Sequence, residues 1–156
     1  MNLSMNTVHC YIRDNGKTLL LYRDKKKNDV HQGKWVGIGG HIELGETSNE
    51  AILREIKEET GLNPHNLKLK GVITYPNFQG DGTDEVMFLY EASGYDGELI
   101  NCDEGELKWF TDDEIESLNM WKGDRLFFEW MKQDKFFIAK IRYSGEDVAE
   151  AFVSFN

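Results

Sequence analysis

Between positions 54 and 59 the chain reads Arg54-Glu55-Ile56-Lys57-Glu58-Glu59. In a helix turning 100° per residue, the carboxylates of Glu55, Glu58 and Glu59 fall within an arc of about 100°. Ile52 and Ile56 lie on the adjoining arc, so one stripe can anchor in a core while its neighbour projects three acids. Like charges three and four residues apart destabilise a helix by roughly 0.2–0.5 kcal/mol per pair. A hard divalent cation removes that conflict, because carboxylate oxygens are the ligands Mg²⁺ prefers. An isolated Glu-rich face is usually only a solvated surface, but these acids belong to a longer pattern. It runs Gly40, five residues, Glu46, seven residues, then Arg54-Glu55-Ile56-Lys57-Glu58-Glu59-Thr60-Gly61-Leu62. Seven fixed identities and two aliphatic positions at this spacing arise by chance on the order of less than once in a million positions.

The acids need a helix, and the sequence marks both its ends. Thr47-Ser48-Asn49-Glu50 has the S/T-x-x-E form of a capping box, and Gly61 with Pro64 just beyond is a stop signal. This predicts a helix over 47–60. Ahead of it, residues 7–13 alternate Val8, Cys10 and Ile12 against His9 and Tyr11 and read as a strand. Residues 18–23 read as a second, more buried strand, and Asn15-Gly16 between them is a hairpin signal. Residues 25–33 read as a polar surface loop, followed by a short Gly-rich segment at 35–40. Strands are expected at 67–75 and 85–92, separated by Gln79-Gly80-Asp81-Gly82, and a short one at 107–110. Helices are expected at 112–118 and 121–131, the latter with the apolar pairs Leu126/Trp130 and Phe127/Met131. Late strands are expected at 136–143, with Phe137, Ala139, Ile141 and Tyr143 on one face, and at 149–155. Hairpins mixed with helices predict an α/β fold with a central mixed sheet covered by helices.

Composition narrows the partners. The 156 residues fit a single domain spanning 1–156, and 40% apolar content with nine Phe, six Tyr and four Trp implies a packed core. The net charge of −10 argues against binding a nucleic-acid polymer, which needs a basic patch. No apolar run is long enough to cross a membrane, and residues 1–6 lack the features of a signal peptide. Cys10 and Cys102 are read as two reduced, buried thiols, consistent with a cytoplasmic location. Nothing has zinc-ligand spacing.

The pattern from Gly40 to Leu62 resembles the Nudix box, G-x5-E-x7-R-E-U-x-E-E-x-G-U, and the chain is identified as a member of the Nudix family on that basis. The resemblance implies a Nudix-type α/β/α sandwich and hydrolysis of a nucleoside diphosphate linkage with Mg²⁺, or Mn²⁺ in its place. It implies that Glu55, Glu58 and Glu59 are metal ligands, joined by the backbone carbonyl of Gly39. Arg54 would orient the carboxylates, with Glu46 as its structural partner, while Gly40 and Gly61 meet backbone requirements. A further carboxylate outside the box could take a proton from water. The candidate is Glu104, in the run Cys102-Asp103-Glu104-Gly105-Glu106 before Trp109-Phe110, also as a metal ligand; a solvated acidic turn is the alternative.

The box fixes the reaction class and leaves the substrate to the rest of the chain. Gly33-Lys34-Trp35-Val36-Gly37-Ile38-Gly39-Gly40, Gly71-Val72-Ile73-Thr74-Tyr75, Leu107-Lys108-Trp109-Phe110 and Met120-Trp121-Lys122-Gly123-Asp124 resemble the MutT-type branch, which hydrolyses oxidised purine nucleotides such as 8-oxo-dGTP. A purine wants an aromatic face and polar groups at its edge. Trp121 or Tyr75 could stack on it, each with a role as a core residue as the alternative. Asp124 could pair with the base edge or instead cap a helix. Val36 stands where the mammalian enzymes of this activity have a base-reading Asn, and Gly123-Asp124 where they have two consecutive acids. Lys34 and Arg23 are candidate phosphate contacts, with plain surface cations as the alternative, and His41 is read as a solvated loop residue. Three functions follow: an oxidised-purine triphosphate pyrophosphohydrolase, a Nudix hydrolase of another diphosphate, or a binding module. The third is disfavoured because all three box acids are present. A monomer or a homodimer is expected.

Overall fold

A computed structural model describes residues 4–25 and 29–156. Residues 1–3 of the N-terminal reading and 26–28 of the expected surface loop lie outside the described residues. The chain begins with β1 (Ser4–Asp14) and β2 (Lys17–Arg23), joined through Asn15 and Gly16, whose φ values of 51° and 73° are those of a hairpin turn. Two short strands follow, β3 (Trp35–Val36) and β4 (Ile38–His41), and then helix α1 (Ser48–Thr60). Beyond it come β5 (Asn63–Pro64), β6 (Lys68–Tyr75), β7 (Asp84–Ser93), β8 (Tyr95–Asp96) and β9 (Gly105–Thr111). Helices α2 (Asp112–Ile115) and α3 (Lys122–Met131) precede the hairpin of β10 (Phe137–Ser144) and β11 (Asp147–Phe155).

Among the described residues, nine strands form one mixed sheet in the order β11-β10-β6-β7-β1-β2-β3, with β4 paired to β1 and β9 to β2. β1 runs parallel to β7 and β10 parallel to β6; the other pairs are antiparallel. Successive side chains of β1 enter two different cores. Val8, Cys10 and Ile12 pack with Ile52 and Ile56 beneath α1. Tyr11, on the opposite face, packs with Phe127 and Met131 of α3. The alternation in 7–13 therefore marks two buried faces, which is the α/β/α sandwich. No helix of the described residues is long and apolar enough to cross a membrane.

The site depends on a fork in this sheet. β1 and β2 pair only beside their turn, at Arg13↔Thr18 and Asp14↔Lys17. Further along they part, and residues 35–41 fill the gap. Trp35 and Val36 pair with β2, while residues 38–41 pair with residues 7–10 of β1. The close fit explains the glycines. A Cβ on Gly39 would lie 2.1 Å from the carbonyl oxygen of Val8, so a side chain there would force the strands apart.

Elsewhere the structure sharpens or corrects the sequence reading. The capping box at Thr47/Glu50 is formed, and Gly61 closes α1 in the left-handed region at φ 79°. The helix expected over 112–118 stops at Ile115, because the Arg125 guanidinium donates to the carbonyls of Ile115 and Leu118. Trp121 is the N-cap residue of α3 rather than its first turn. The strand expected at 107–110 extends over seven residues, since β9 follows β2 along its length. Gly39→Ala is expected to destabilise the protein by about 2–3 kcal/mol, read as a lowered denaturant midpoint. A change within about 0.5 kcal/mol would show that β4 is not clamped on β1.

Candidate active site

α1 lies over the fork and carries the acids to β4. Ile52 and Ile56 are fully buried and fix its roll. Arg54 then organises the polar stripe. Its Nε and Nη2 donate to the two oxygens of Glu46 at 2.7 and 2.9 Å, a bidentate pair. Nη1 donates to Glu55 Oε1 at 2.7 Å and Nη2 to the His41 carbonyl at 3.0 Å. The Arg54 bonds pull the Glu46 carboxyl down to about 2 and hold the guanidinium charged. Glu58 makes only a 3.5 Å contact with Arg54 and is largely exposed.

Glu55 and Glu59 turn the other way, toward the sheet. Gly40 has no room for a Cβ, which would stand 2.6 Å from the Glu55 carboxyl. The Gly39 N–H donates to Glu59 Oε2 at 3.2 Å, while Glu59 Oε1 is buried with no partner. Glu104 arrives from the segment before β9. It shares a hydrogen bond with Glu59 and stands 3.3 Å from Arg23 Nη1. Burial first, then the Glu104 hydrogen bond and charge, push the Glu59 carboxyl up to about 10. Burial also raises Glu55, against the opposing pull of Arg54.

Three carboxyl groups thus gather at one end of the cleft, with the charge of Glu104 weighing on both Glu55 and Glu59. An orphaned, buried carboxylate oxygen beside two more acids is a donor set suited to a hard cation. Among the described residues no three such side chains yet converge at ligating distance. Glu59 is tied to Glu104 and Glu55 to Arg54, so cation binding requires the Glu59–Glu104 hydrogen bond to give up its proton.

From this end a cavity of about 700 Å³ extends along the fork, past Gly39 and Val36, to Tyr75, Trp121 and Asp124. Gly39, Val36, Arg23, Tyr75, Trp121 and Asp124 all line it. Arg23 is held by Asp29 at 2.7 Å. Trp121 is pinned in its plane: its Nε1–H donates to His31 Nδ1 at 2.8 Å, and Phe78 and Tyr143 meet it edge-on. Burial, then the charge of Arg23, lowers His31 to about 4, so the ring is neutral and free to accept. Tyr75 stacks on Tyr143 at 6.2 Å. The structure does not bring Lys34 to the cavity wall. Its amine bonds Glu146 in the β10–β11 turn and lies 4.8 Å over the Trp121 ring, bracing that ring from outside. Among the residues that sequence reasoning passed over are Thr7, Phe78, Glu85 and Tyr143. Only Tyr143 carried a signal, as the last residue of an apolar face.

Asp124 is buried in the first turn of α3 and does not cap it. Burial, then the charge of Glu85, pushes its carboxyl up to about 7. An acid whose folded value exceeds its unfolded one contributes most below the unfolded value, and that contribution is lost as pH rises through the folded value. Stability should therefore fall between about pH 4 and pH 7. Asp124→Asn is expected to flatten this slope and to raise Tm at pH 8 by roughly 5 °C or more, with little change at pH 4. Parallel melting curves for the two proteins across that range would rule out the buried charge.

The family profile described as the NUDIX domain matches residues 3–131. The chain is 38% identical over 125 residues to the oxidized purine nucleoside triphosphate hydrolase of Danio rerio, covering 79% of this chain and 78% of the relative. It is 32% identical over 134 residues to a Nudix hydrolase of Bacillus subtilis (strain 168), covering 84% and 81%. The crystal structure of a MutT protein from Bacillus halodurans superposes with a TM-score of 0.83 at 28% identity, covering 96% of this chain and 97% of that one. The acidic helix, the glycine fork beneath it and these likenesses lead to one assignment: the chain belongs to the Nudix family and is a MutT-type Nudix hydrolase.

Proposed function

We propose that this protein is an Mg²⁺-dependent pyrophosphohydrolase of oxidised purine nucleoside triphosphates, converting 8-oxo-dGTP to 8-oxo-dGMP and pyrophosphate and so cleansing the cytoplasmic nucleotide pool. The observation that carries the reading is the continuity of one cavity. It joins the carboxylates of Glu55 and Glu104, the latter bonded to Glu59 behind it, to an aromatic end with a buried acid, as a triphosphate attached to a purine requires. The likeness to the oxidized purine nucleoside triphosphate hydrolase of Danio rerio supports the same substrate class. In this reading residues 1–156 act as one catalytic domain on a small nucleotide, with no nucleic-acid polymer and no membrane as partner.

Glu55, Glu59 and Glu104 would hold the cation with the Gly39 carbonyl, and Glu58 would complete the set from the exposed side of α1. Mg²⁺, or Mn²⁺ in its place, neutralises the diphosphate and lowers the pKa of water when bound. Arg54 keeps Glu55 turned into the cleft, so its role is positioning. Glu104 takes the proton of the attacking water, and Arg23 beside it steadies both that carboxylate and a phosphate oxygen. Trp121 and Tyr75 flank the base, Val36 closes the wall between base and phosphates, and Asp124 accepts from the base edge. Lys34 acts through Trp121 rather than on phosphate.

Pyrophosphate release should be measured from 8-oxo-dGTP, dGTP, other nucleoside triphosphates, ADP-ribose and a dinucleoside polyphosphate, with and without Mg²⁺. The expected result is fastest release from 8-oxo-dGTP and none without metal. Faster turnover of ADP-ribose or the dinucleotide would replace the substrate and keep the mechanism. Glu59→Gln keeps the side-chain volume and replaces a carboxyl that folding forces to stay protonated with a group that cannot ionise. It is expected to raise the metal-free Tm while lowering kcat at least about a hundredfold and abolishing the stabilisation by Mg²⁺. Activity within a few-fold of wild type would refute Glu59 as a ligand.

A further inference from the structure

The base end of the cavity contains a second acid that the proposed hydrolysis does not use. Glu85 opens β7 and stands directly opposite Tyr75 of β6 and Met5 of β1, so its side chain shares their face of the sheet. One of its oxygens accepts from the Thr7 hydroxyl at 2.9 Å, which aims the carboxyl along the cavity wall. Asp124 faces the same cavity from α3. The two walls are tied together, because Tyr75 stacks on Tyr143 and the Tyr143 hydroxyl accepts from the Gly123 N–H at 2.8 Å, one residue before Asp124.

Two carboxyl groups lining one desolvated pocket repel each other. Glu85 is the charge that weighs most on Asp124, and burial raises Glu85 itself. Among the described residues no donor holds the Asp124 carboxyl, and Glu85 receives only the Thr7 hydroxyl. Acceptors that face a cavity with few protein donors favour a ligand that brings donors. A guanine-type base offers two adjacent donors, N1–H and the 2-amino group. Adenine offers an acceptor at N1, and hypoxanthine keeps N1–H but lacks the amino group. Oxidation at C8 leaves the guanine edge intact.

We propose that Glu85 is a specificity-determining residue that, paired with Asp124, reads the donor edge of a guanine-type base. Asp124, the deeper acid, accepts from N1–H. Glu85, half-buried, accepts one hydrogen of the 2-amino group and leaves the other toward solvent. The pair supplies from strand and helix the two acceptors that neighbouring residues cannot, since Gly123 precedes Asp124. This inference rests on the reading that the cavity takes a purine.

The test compares kcat/KM for 8-oxo-dGTP and for its analogue without the 2-amino group, 8-oxo-dITP, in the wild type and in Glu85→Leu, which has no acceptor. A lost hydrogen bond to a charged acceptor is worth about tenfold to a hundredfold. The wild type should prefer 8-oxo-dGTP by at least about tenfold. Glu85→Leu should reduce that preference to within about threefold, with the guanine nucleotide losing through KM and the hypoxanthine nucleotide losing far less. Preference retained in the variant, or a loss in kcat shared by both nucleotides, would overturn the role of Glu85. Calorimetric binding of 8-oxo-dGMP and 8-oxo-dIMP to the wild type needs no variant to fold, and equal affinities would also overturn it. Hydrolysis of nucleotides without base preference would sink this inference alone, whereas no binding or hydrolysis of any purine nucleotide would sink the substrate reading with it.

Discussion

A carboxyl group buried against another carboxyl is the constraint on which this structure turns. Glu59 lies on the inner side of α1, with one oxygen on the Gly39 amide, the other unsatisfied, and Glu104 bonded to it. Among the described residues the cations beside that cluster are shared with other acids. Arg54 is committed to Glu46 and Glu55, and Arg23 to Asp29 as well as Glu104. Such a group survives only where the surrounding scaffold is stable enough to hold it. The scaffold is correspondingly heavy: a nine-stranded sheet with a core on each face. The strain is concentrated at the place where chemistry is expected, and the rest of the fold is ordinary packing.

The two ends of the cavity solve different problems with the same kind of side chain. At the helix end, acids gather where a cation can enter and reconcile them. At the aromatic end, Asp124 and Glu85 line the same cavity, where the hydrogen-bond donors of a ligand would meet their oxygens. Between them the aromatic residues are locked by one another and by His31. A flat ligand would therefore meet a preformed slot, and little side-chain entropy remains to be lost on binding.

Much of the acidic end was legible in the sequence, because a helix writes its geometry locally. The capping box at Thr47 and the left-handed stop at Gly61 bracket α1, and the period of 3.6 puts Glu55 and Glu59 beside Ile52 and Ile56. The base end was far less legible. Its residues come from β1, β6, β7 and α3, and which of them face each other depends on strand register, which the local pattern does not encode. Glu85 became visible only once its position opposite Tyr75 was known. Lys34, next to an aromatic in a Gly-rich segment, read as a phosphate contact. Its partner Glu146 is 112 positions away, and only the folded hairpin turn brings the two together. The same distance effect truncated α2, whose carbonyls are taken by Arg125 from the next helix. The short strands β3 and β4 carried no pattern of their own, being defined by the fork they fill.

That fork has a geometric consequence. Val36, Gly37, Gly39 and Gly40 line the cavity in succession, and both flanks of this segment are hydrogen-bonded into the sheet. The separation between the acids above Gly40 and the aromatic wall beside Val36 is thus set by main chain at a fixed rise per residue. Side-chain changes at either end can alter what is bound there without altering the span between them. The segment acts as a ruler built into the sheet, and evolution of a new base preference in this scaffold would inherit the phosphate spacing unchanged.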